Sequence, residues 1–137
     1  MSQTGVGKHQ SPINIETSKA VFNSNLLKRP LRIVYDINAC SQIKNTGYTF
    51  QIDGYPRNHT RVSGGPVDHQ FNFLQFHMHW GDDLDHGSEH LIDDKPYSAE
   101  LHFVNWNHFN YKDPRTASES NKNDGLLVLA VFVKVNN

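Results

Sequence analysis

The stretch that decides the fold is Gln75-Phe76-His77-Met78-His79-Trp80, in which polar and large apolar side chains alternate strictly. A period of two is typical of a β-strand, because successive side chains point to opposite faces. The alternation therefore predicts that Gln75, His77 and His79 share one face. At a rise of about 3.3 Å per residue, the two imidazoles stand about 7 Å apart along that face.

Similar β-rich segments recur along the chain, separated by turns that contain Gly, Pro or Asp. Branched and aromatic residues are concentrated in five segments that we predict to be strands, namely residues 31–35, 49–52, 71–80, 99–106 and 126–135. No segment keeps a helical period over three turns, and residues 112–124 are expected to form a surface loop or a short helix. The sequence therefore predicts one mainly β domain over residues 1–137.

The last predicted strand differs from the others because it does not alternate. Leu126-Leu127-Val128-Leu129-Ala130-Val131-Phe132-Val133 is apolar throughout. Such a run predicts burial on both faces and hence a central place in a sheet. A central strand needs a neighbour on each side, and only four residues follow it. We therefore expect the sheet in this chain to be incomplete.

Composition and charge exclude several classes of partner. The chain has 13 basic and 14 acidic residues and a formal net charge of -1, which gives no broad field to attract nucleic acid or anionic lipid. Its longest apolar run is far shorter than the roughly 20 residues that a transmembrane helix needs. The single cysteine, Cys40, cannot form an internal disulfide, and residues 1–10 lack the apolar core of a secretory signal. We expect a cytoplasmic monomer.

A second strand completes a group of three imidazoles. In Glu100-Leu101-His102-Phe103-Val104, the side chains of Glu100, His102 and Val104 share one face. If this strand lies beside the first, His102 joins the pair of histidines there. Three neutral imidazoles with one open position are typical of a hydrolytic zinc site, whose open position holds a water molecule. Gln75 and Glu100, each two residues before a ligand, could orient the outer ring nitrogens.

The histidines allow two other interpretations. A lone histidine in a strand or loop is most often a structural residue, and we keep that interpretation for His9, His59, His69 and His86. A cupin-like iron or manganese site also begins with His-x-His, but it requires a carboxylate three or four residues later. Asp82 and Asp83 fall in a predicted turn at that spacing, so the zinc interpretation is favoured.

At these residues the sequence resembles the α-class carbonic anhydrases. The blocks that carry the resemblance are residues 10–15, 64–66, 75–81, 87–90, 99–107 and 124–126. The similarity extends from about Gln10 to Val135. It implies the large, twisted, mostly antiparallel sheet of that family, of which this chain would hold the N-terminal and central parts as a truncated domain.

The resemblance also implies roles for individual residues. The family pattern makes His77, His79 and His102 the zinc ligands, and Gln75 and Glu100 their outer partners. It makes Glu89 the residue that orients a threonine hydroxyl, and His90 a structural residue. Val104 and Val128 match the apolar wall for carbon dioxide. The implied reaction is reversible hydration of carbon dioxide to bicarbonate and a proton, by attack of zinc-bound hydroxide.

Two departures from the family pattern bear on that reaction. Tyr48 stands where many members have a proton-exporting histidine, and a phenol with an ordinary pKa of about 10 is a poor relay at pH 7. The threonine partner of Glu89 belongs to the part of the family domain that this chain lacks. The alternative interpretation is therefore a catalytically impaired or inactive fragment that binds zinc or a protein partner.

Overall fold

The structure is a computed structural model that describes residues 10–120 and 122–136, and it is mainly β. Within these ranges the strands are β1 (Asn14–Ile15), β2 (Arg32–Val34), β3 (Cys40–Asn45), β4 (Phe50–Gly54), β5 (Arg61–Ser63), β6 (Phe71–Trp80), β7 (Leu91–Ile92), β8 (Ala99–Trp106) and β9 (Leu126–Val133). The helices are short: a 3-10 turn over Thr17–Lys19, α1 (Ser24–Leu27) and α2 (Pro114–Ser118). The predicted fold class, a mainly antiparallel β structure of the α-carbonic anhydrase type, is confirmed.

Five strands of the described residues were predicted from the sequence, and four were not. The predicted bounds of β6 and β8 are correct, and the bounds of β2, β4 and β9 are correct to within two residues. Strands β1, β5 and β7 have only two or three residues each, too few for a recognisable period. Strand β3 is fully exposed and mostly polar, so it carried no apolar signal.

The short helix α2 lies within the segment predicted as a loop or a short helix. Asp113 caps it, because its Oδ1 accepts a hydrogen bond from the backbone N–H of Thr116 at 2.7 Å. Pro114 occupies the first turn, where its missing N–H costs no helical hydrogen bond. These two residues explain why a helix begins in an otherwise polar segment.

Strand β6 is the organising strand of a seven-stranded sheet. Strands β4 and β5 both pair with it in antiparallel fashion, β5 near its start and β4 near its end. Strand β3 extends the sheet beyond β4, and β2 extends it beyond β5. Strand β8 also pairs with β6, and β9 pairs with β8. The two strands that carry the predicted histidine ligands are therefore neighbours.

The predicted central position of β9 is wrong for the described part of the chain. There, β9 pairs with β8 alone. Leu126, Val128 and Val131 are 39%, 46% and 47% exposed, respectively, so the strand is not buried on both faces. The physical reason is that an apolar run shows that a strand can be buried, but it does not show which strands lie beside it. A central place also requires a second neighbouring strand.

The chain divides into two compact units. One comprises residues 1–21, 79–100 and 132–137, and the other comprises residues 22–78 and 101–131. The prediction of a single domain stays a prediction. In the described part of the chain, no helix combines the length and the apolar character needed to span a membrane.

The larger unit has an aromatic layer behind its part of the histidine face. Phe76, whose side chain alternates with that of His77, packs against Phe103 with ring centroids 5.4 Å apart. It also meets Phe50 edge to face at 6.3 Å. This packing anchors the apolar face of β6 and so sets the direction of its polar side chains.

In the smaller unit, side-chain bonds reinforce the parallel pairing of β1 with β7. Asn14 Nδ2 donates to Asp94 Oδ1 at 2.6 Å, and Asp94 N donates back to Asn14 Oδ1 at 3.0 Å. Thr17 donates to Asp93 from its backbone N at 2.8 Å and from its hydroxyl at 2.7 Å. The Thr17 hydrogen bonds hold the pKa of Asp93 below its ordinary range.

Candidate metal centre

The first predicted ligand, His77, is oriented by its own strand. Gln75 shares its face of β6, and Gln75 Oε1 lies 3.0 Å from His77 Nδ1. An amide oxygen can only accept a hydrogen bond, so this contact favours the tautomer with the proton on Nδ1. The lone pair is then on Nε2, as a metal ligand of neutral imidazole requires.

His102 meets His77 across the pairing of β8 with β6. The two ring centroids are 5.2 Å apart and the ring planes are inclined at 78°, an edge-to-face arrangement. His102 is 7% exposed and His77 is half-buried, so both imidazoles are partly removed from water. Two nitrogen donors from different strands thus stand side by side.

The third predicted ligand, His79, lies two residues beyond His77 on the same strand and is half-buried. Its Nδ1 is 3.5 Å from Glu89 Oε1. Like His77 and His102, it offers an imidazole nitrogen as a possible metal donor. The donor set contains imidazoles and no thiolate, which fits zinc in a site with an open position. The assignment of the three as ligands stays a prediction.

Glu100, predicted as an outer partner of the ligands, is fully buried at 0% exposure. Its Oε1 lies 2.7 Å from His90 Nδ1, and its Oε2 accepts a hydrogen bond from the backbone N–H of His90 at 2.9 Å. Both carboxylate oxygens therefore have a hydrogen-bonding partner in His90. This contact stabilises a charge that would be costly to bury alone, and it agrees with a structural role for His90.

Hydrogen bonds to the backbone of Tyr97 hold the segment that carries Glu89. The backbone N–H groups of Gly87 and Ser88 both donate to Tyr97 O, at 2.8 and 2.9 Å. A Cβ on Gly87 would lie 1.8 Å from Ser98 O, so no side chain fits there. The glycine lets the two backbone segments approach closely. The backbone at Glu89 is consequently held in place, and the side chain is half-buried.

The remaining predicted site residues lie in different environments. Val104 follows His102 on the same face of β8 and is half-buried. Val128, on β9, is 46% exposed. Tyr48 lies in the turn between β3 and β4 and is 90% exposed. The turn is closed by hydrogen bonds between Thr46 and Thr49, so the phenol extends into solvent.

Two polar residues beside the site were missed by the sequence reasoning. In the antiparallel register, Gln51 lies opposite His77 and Asp53 lies opposite Gln75. Opposite residues of such a pair share one face of the sheet, so β4 extends the polar face of β6. The signal was present, because Phe50-Gln51-Ile52-Asp53 alternates apolar and polar side chains. Only the register shows which residues they adjoin.

Asp53 is the centre of a hydrogen-bond network on this face. Its Oδ1 accepts from Gln51 Nε2 at 2.6 Å, and its Oδ2 accepts from Gln42 Nε2 at 2.9 Å and from Lys44 Nζ at 2.7 Å. Partial burial alone would raise the pKa of Asp53, but the hydrogen bonds from Lys44, Gln51 and Gln42 outweigh it and lower the pKa. The carboxylate therefore stays ionised at neutral pH.

Comparisons with known proteins agree on one family. The sequence profile of the family described as eukaryotic-type carbonic anhydrase matches residues 1–137. The chain is 44% identical over 131 residues to carbonic anhydrase 1 of Mus musculus, covering 94% of this chain and 48% of that protein. It is 40% identical over 130 residues to mitochondrial carbonic anhydrase 5A of Rattus norvegicus, covering 94% and 41%, respectively. The chain spans about half the length of the curated relatives it matches.

Proposed function

Because this chain belongs to the eukaryotic-type carbonic anhydrase family, we propose that His77, His79 and His102 hold a zinc ion for the reversible hydration of carbon dioxide to bicarbonate and a proton. The observation that carries the proposal is the edge-to-face contact of His77 with His102 at 5.2 Å. His79 supports it, because it follows His77 on the same side of β6. Gln75 supports it by favouring the metal-binding tautomer of His77.

The chemistry that zinc supplies when bound is Lewis acidity, which brings the pKa of a coordinated water to about 7, a value for which carbonic anhydrase is itself the standard example. The protein's own residues would prepare the surroundings. Gln75 holds the Nδ1 proton of His77. Val104, half-buried on the same face as His102, offers an apolar surface to the nonpolar substrate. Carbon dioxide and bicarbonate are the proposed small-molecule partners.

A second candidate function is zinc binding without turnover. The observation that favours it is the 46% exposure of Val128, which the family pattern assigns to the carbon dioxide wall. A wall open to water holds a nonpolar substrate weakly, because apolar contact stabilises only the area removed from water. The two candidates share the metal site and differ in the hydration rate.

One experiment separates these candidates. The purified chain is dialysed against zinc, its bound metal is measured, and carbon dioxide hydration is followed by stopped flow with and without a sulfonamide inhibitor. We expect one zinc per chain and hydration that the inhibitor abolishes. Bound zinc without inhibitor-sensitive hydration would support the non-catalytic candidate. A folded wild-type chain that binds no zinc would contradict both candidates.

The cytoplasmic location and the monomeric state remain predictions. The relatives named carbonic anhydrase 5A are described as mitochondrial, so membership of the family does not by itself support a cytoplasmic location. Fractionation of cells that express the chain would test the location, and light scattering of the purified chain would test the oligomeric state.

A further inference from the structure

Glu89 has a neighbour that its family role does not include. The family pattern assigns this residue to a threonine hydroxyl, but its Oε1 here lies 3.5 Å from His79 Nδ1. We infer that Glu89 is a positioning residue for His79, the outer carboxylate partner of a metal-ligating imidazole. This inference rests on the proposed function, because it takes His79 as a zinc ligand.

The position of Glu89 favours one ring nitrogen of His79 for the metal. A carboxylate can only accept a hydrogen bond, so the nitrogen that faces it carries the proton. With the proton on Nδ1, the lone pair of His79 is on Nε2. Gln75 likewise faces Nδ1 of His77, because its Oε1 lies 3.0 Å from that nitrogen. The two histidines of β6 are therefore presented to a metal through the same nitrogen.

The charge of Glu89 distinguishes it from Gln75. A zinc ion bound by three neutral imidazoles keeps its full charge of +2, whereas a carboxylate against one of the imidazoles partly compensates it. A charged acceptor also raises the basicity of the ligand more than an amide does. At 3.5 Å the contact is longer than an ordinary hydrogen bond. A metal on Nε2 makes the opposite N–H more acidic, so we expect the contact to shorten on binding.

The hydrogen bonds of the segment before Glu89 make this contact a property of the fold. Gly87 and Ser88 are held against Tyr97 O, and the hydroxyl of Ser88 donates to His90 O at 2.7 Å. His90 is in turn bound to the buried Glu100. Glu89 therefore lies between two anchored residues, and its backbone cannot move without breaking these bonds.

The chain also contains a matched control pair outside the proposed site. Asp83 Oδ1 lies 2.8 Å from His86 Nδ1, and both side chains are exposed. The hydrogen bond from His86 lowers the pKa of Asp83. This pair has the same chemistry as Glu89 with His79, but His86 is not among the predicted ligands. Removal of the charge of Asp83 should leave zinc affinity unchanged.

The test measures zinc affinity by competition with a chelator for wild type, Glu89→Gln, Glu89→Asp and Asp83→Asn. Loss of an outer partner typically weakens metal binding by about 10–100-fold, and we expect a loss in this range for Glu89→Gln. Glu89→Asp keeps the charge and should lose less, and Asp83→Asn should match wild type. In ¹⁵N NMR spectra of the zinc form, the Nδ1–H signal of His79 should shift in Glu89→Gln, while that of His77 should not.

The outcomes separate this inference from the proposed function. If wild type binds zinc and Glu89→Gln binds it within twofold as tightly, the inference is overturned and the proposed function stands. If the visible spectrum of the cobalt form shows a lower coordination number in Glu89→Gln, Glu89 is itself a ligand and the inference is also overturned. If wild type binds no zinc, both fail. Should Glu89→Gln not fold, Glu89→Asp alone decides, since equal affinity overturns the inference and partial loss supports it.

Discussion

The imidazole rings of His77 and His102 meet edge to face, with centroids 5.2 Å apart and planes inclined at 78°. They belong to β6 and β8, which are neighbouring strands of the sheet. His77 has an amide oxygen at its Nδ1, and His102 is buried. The contact therefore brings together two ring-nitrogen donors from neighbouring strands.

Replacement of His102 should abolish zinc binding. For His102→Ala, we expect a loss larger than the roughly 10–100-fold that removal of an outer partner causes, because one of three donor nitrogens is gone. The measurement is bound zinc by atomic absorption after dialysis. His59→Ala replaces an exposed histidine outside the site and should retain the metal. Equal zinc content in both variants would contradict the ligand assignment.

Gln75 should affect the metal through His77. Gln75→Ala removes the acceptor at His77 Nδ1, so the ring can adopt the wrong tautomer and can rotate. We expect zinc affinity to fall by about 10–100-fold, while the melting temperature of the zinc-free form changes little. Chelator competition and thermal unfolding measure the two effects. Unchanged affinity would show that the Gln75 contact does not orient the ligand.

The ion pair and hydrogen bonds of Asp53 should make stability depend on pH. Its pKa is lowered in the folded state, so its contribution is complete above the ordinary pKa of Asp and is lost as pH falls through the lowered value. Asp53→Asn should reduce the free energy of unfolding at pH 7 by about 1–3 kcal/mol. The difference from wild type should shrink near pH 3. Urea denaturation at both pH values tests this, and a constant difference would contradict it.

The bond between Thr17 and Asp93 should control the opening of β1. Thr17→Val removes the hydroxyl that donates to Asp93 and should speed hydrogen exchange of the Leu91 amide, which pairs with Ile13 O. In wild type the protection factor of the same amide, which corrects for the intrinsic pH dependence of exchange, should fall on acidification, because the pKa of Asp93 is lowered when folded and the bond is lost below it. The control is Gly54, an amide of β4 in the other unit.

Tyr48 should limit proton export if the chain turns over. Its side chain is 90% exposed, and an imidazole at that position would titrate near neutral pH. Tyr48→His should therefore increase hydration by several-fold in weak buffer and have little effect in strong buffer. Stopped-flow assays at low and high buffer concentration measure this ratio. Equal rates of the two proteins in weak buffer would rule out a proton-transfer limit at this position.

Much of the fold and the ligand set followed from local sequence patterns. The alternation in β6 and β8 determined which side chains share a face, because a period of two is a property of the extended backbone itself. The bounds of both strands were predicted correctly. By contrast, the composition of β9 indicated a buried strand, and the structure leaves Val128 exposed, because composition contains no information about neighbours.

The sequence by itself predicted the donor chemistry that we propose for this protein: three imidazoles, no thiolate beside them and a polar residue two positions before His77. Only the tertiary structure decided which groups are partners. It paired Gln51 with His77 through the register of β4 and β6, and it placed Glu89 beside His79 through the hydrogen bonds of Gly87 and Ser88 to Tyr97. The reason is that side-chain direction is set by local backbone geometry, whereas contact between distant residues depends on strand pairing and on packing throughout the unit.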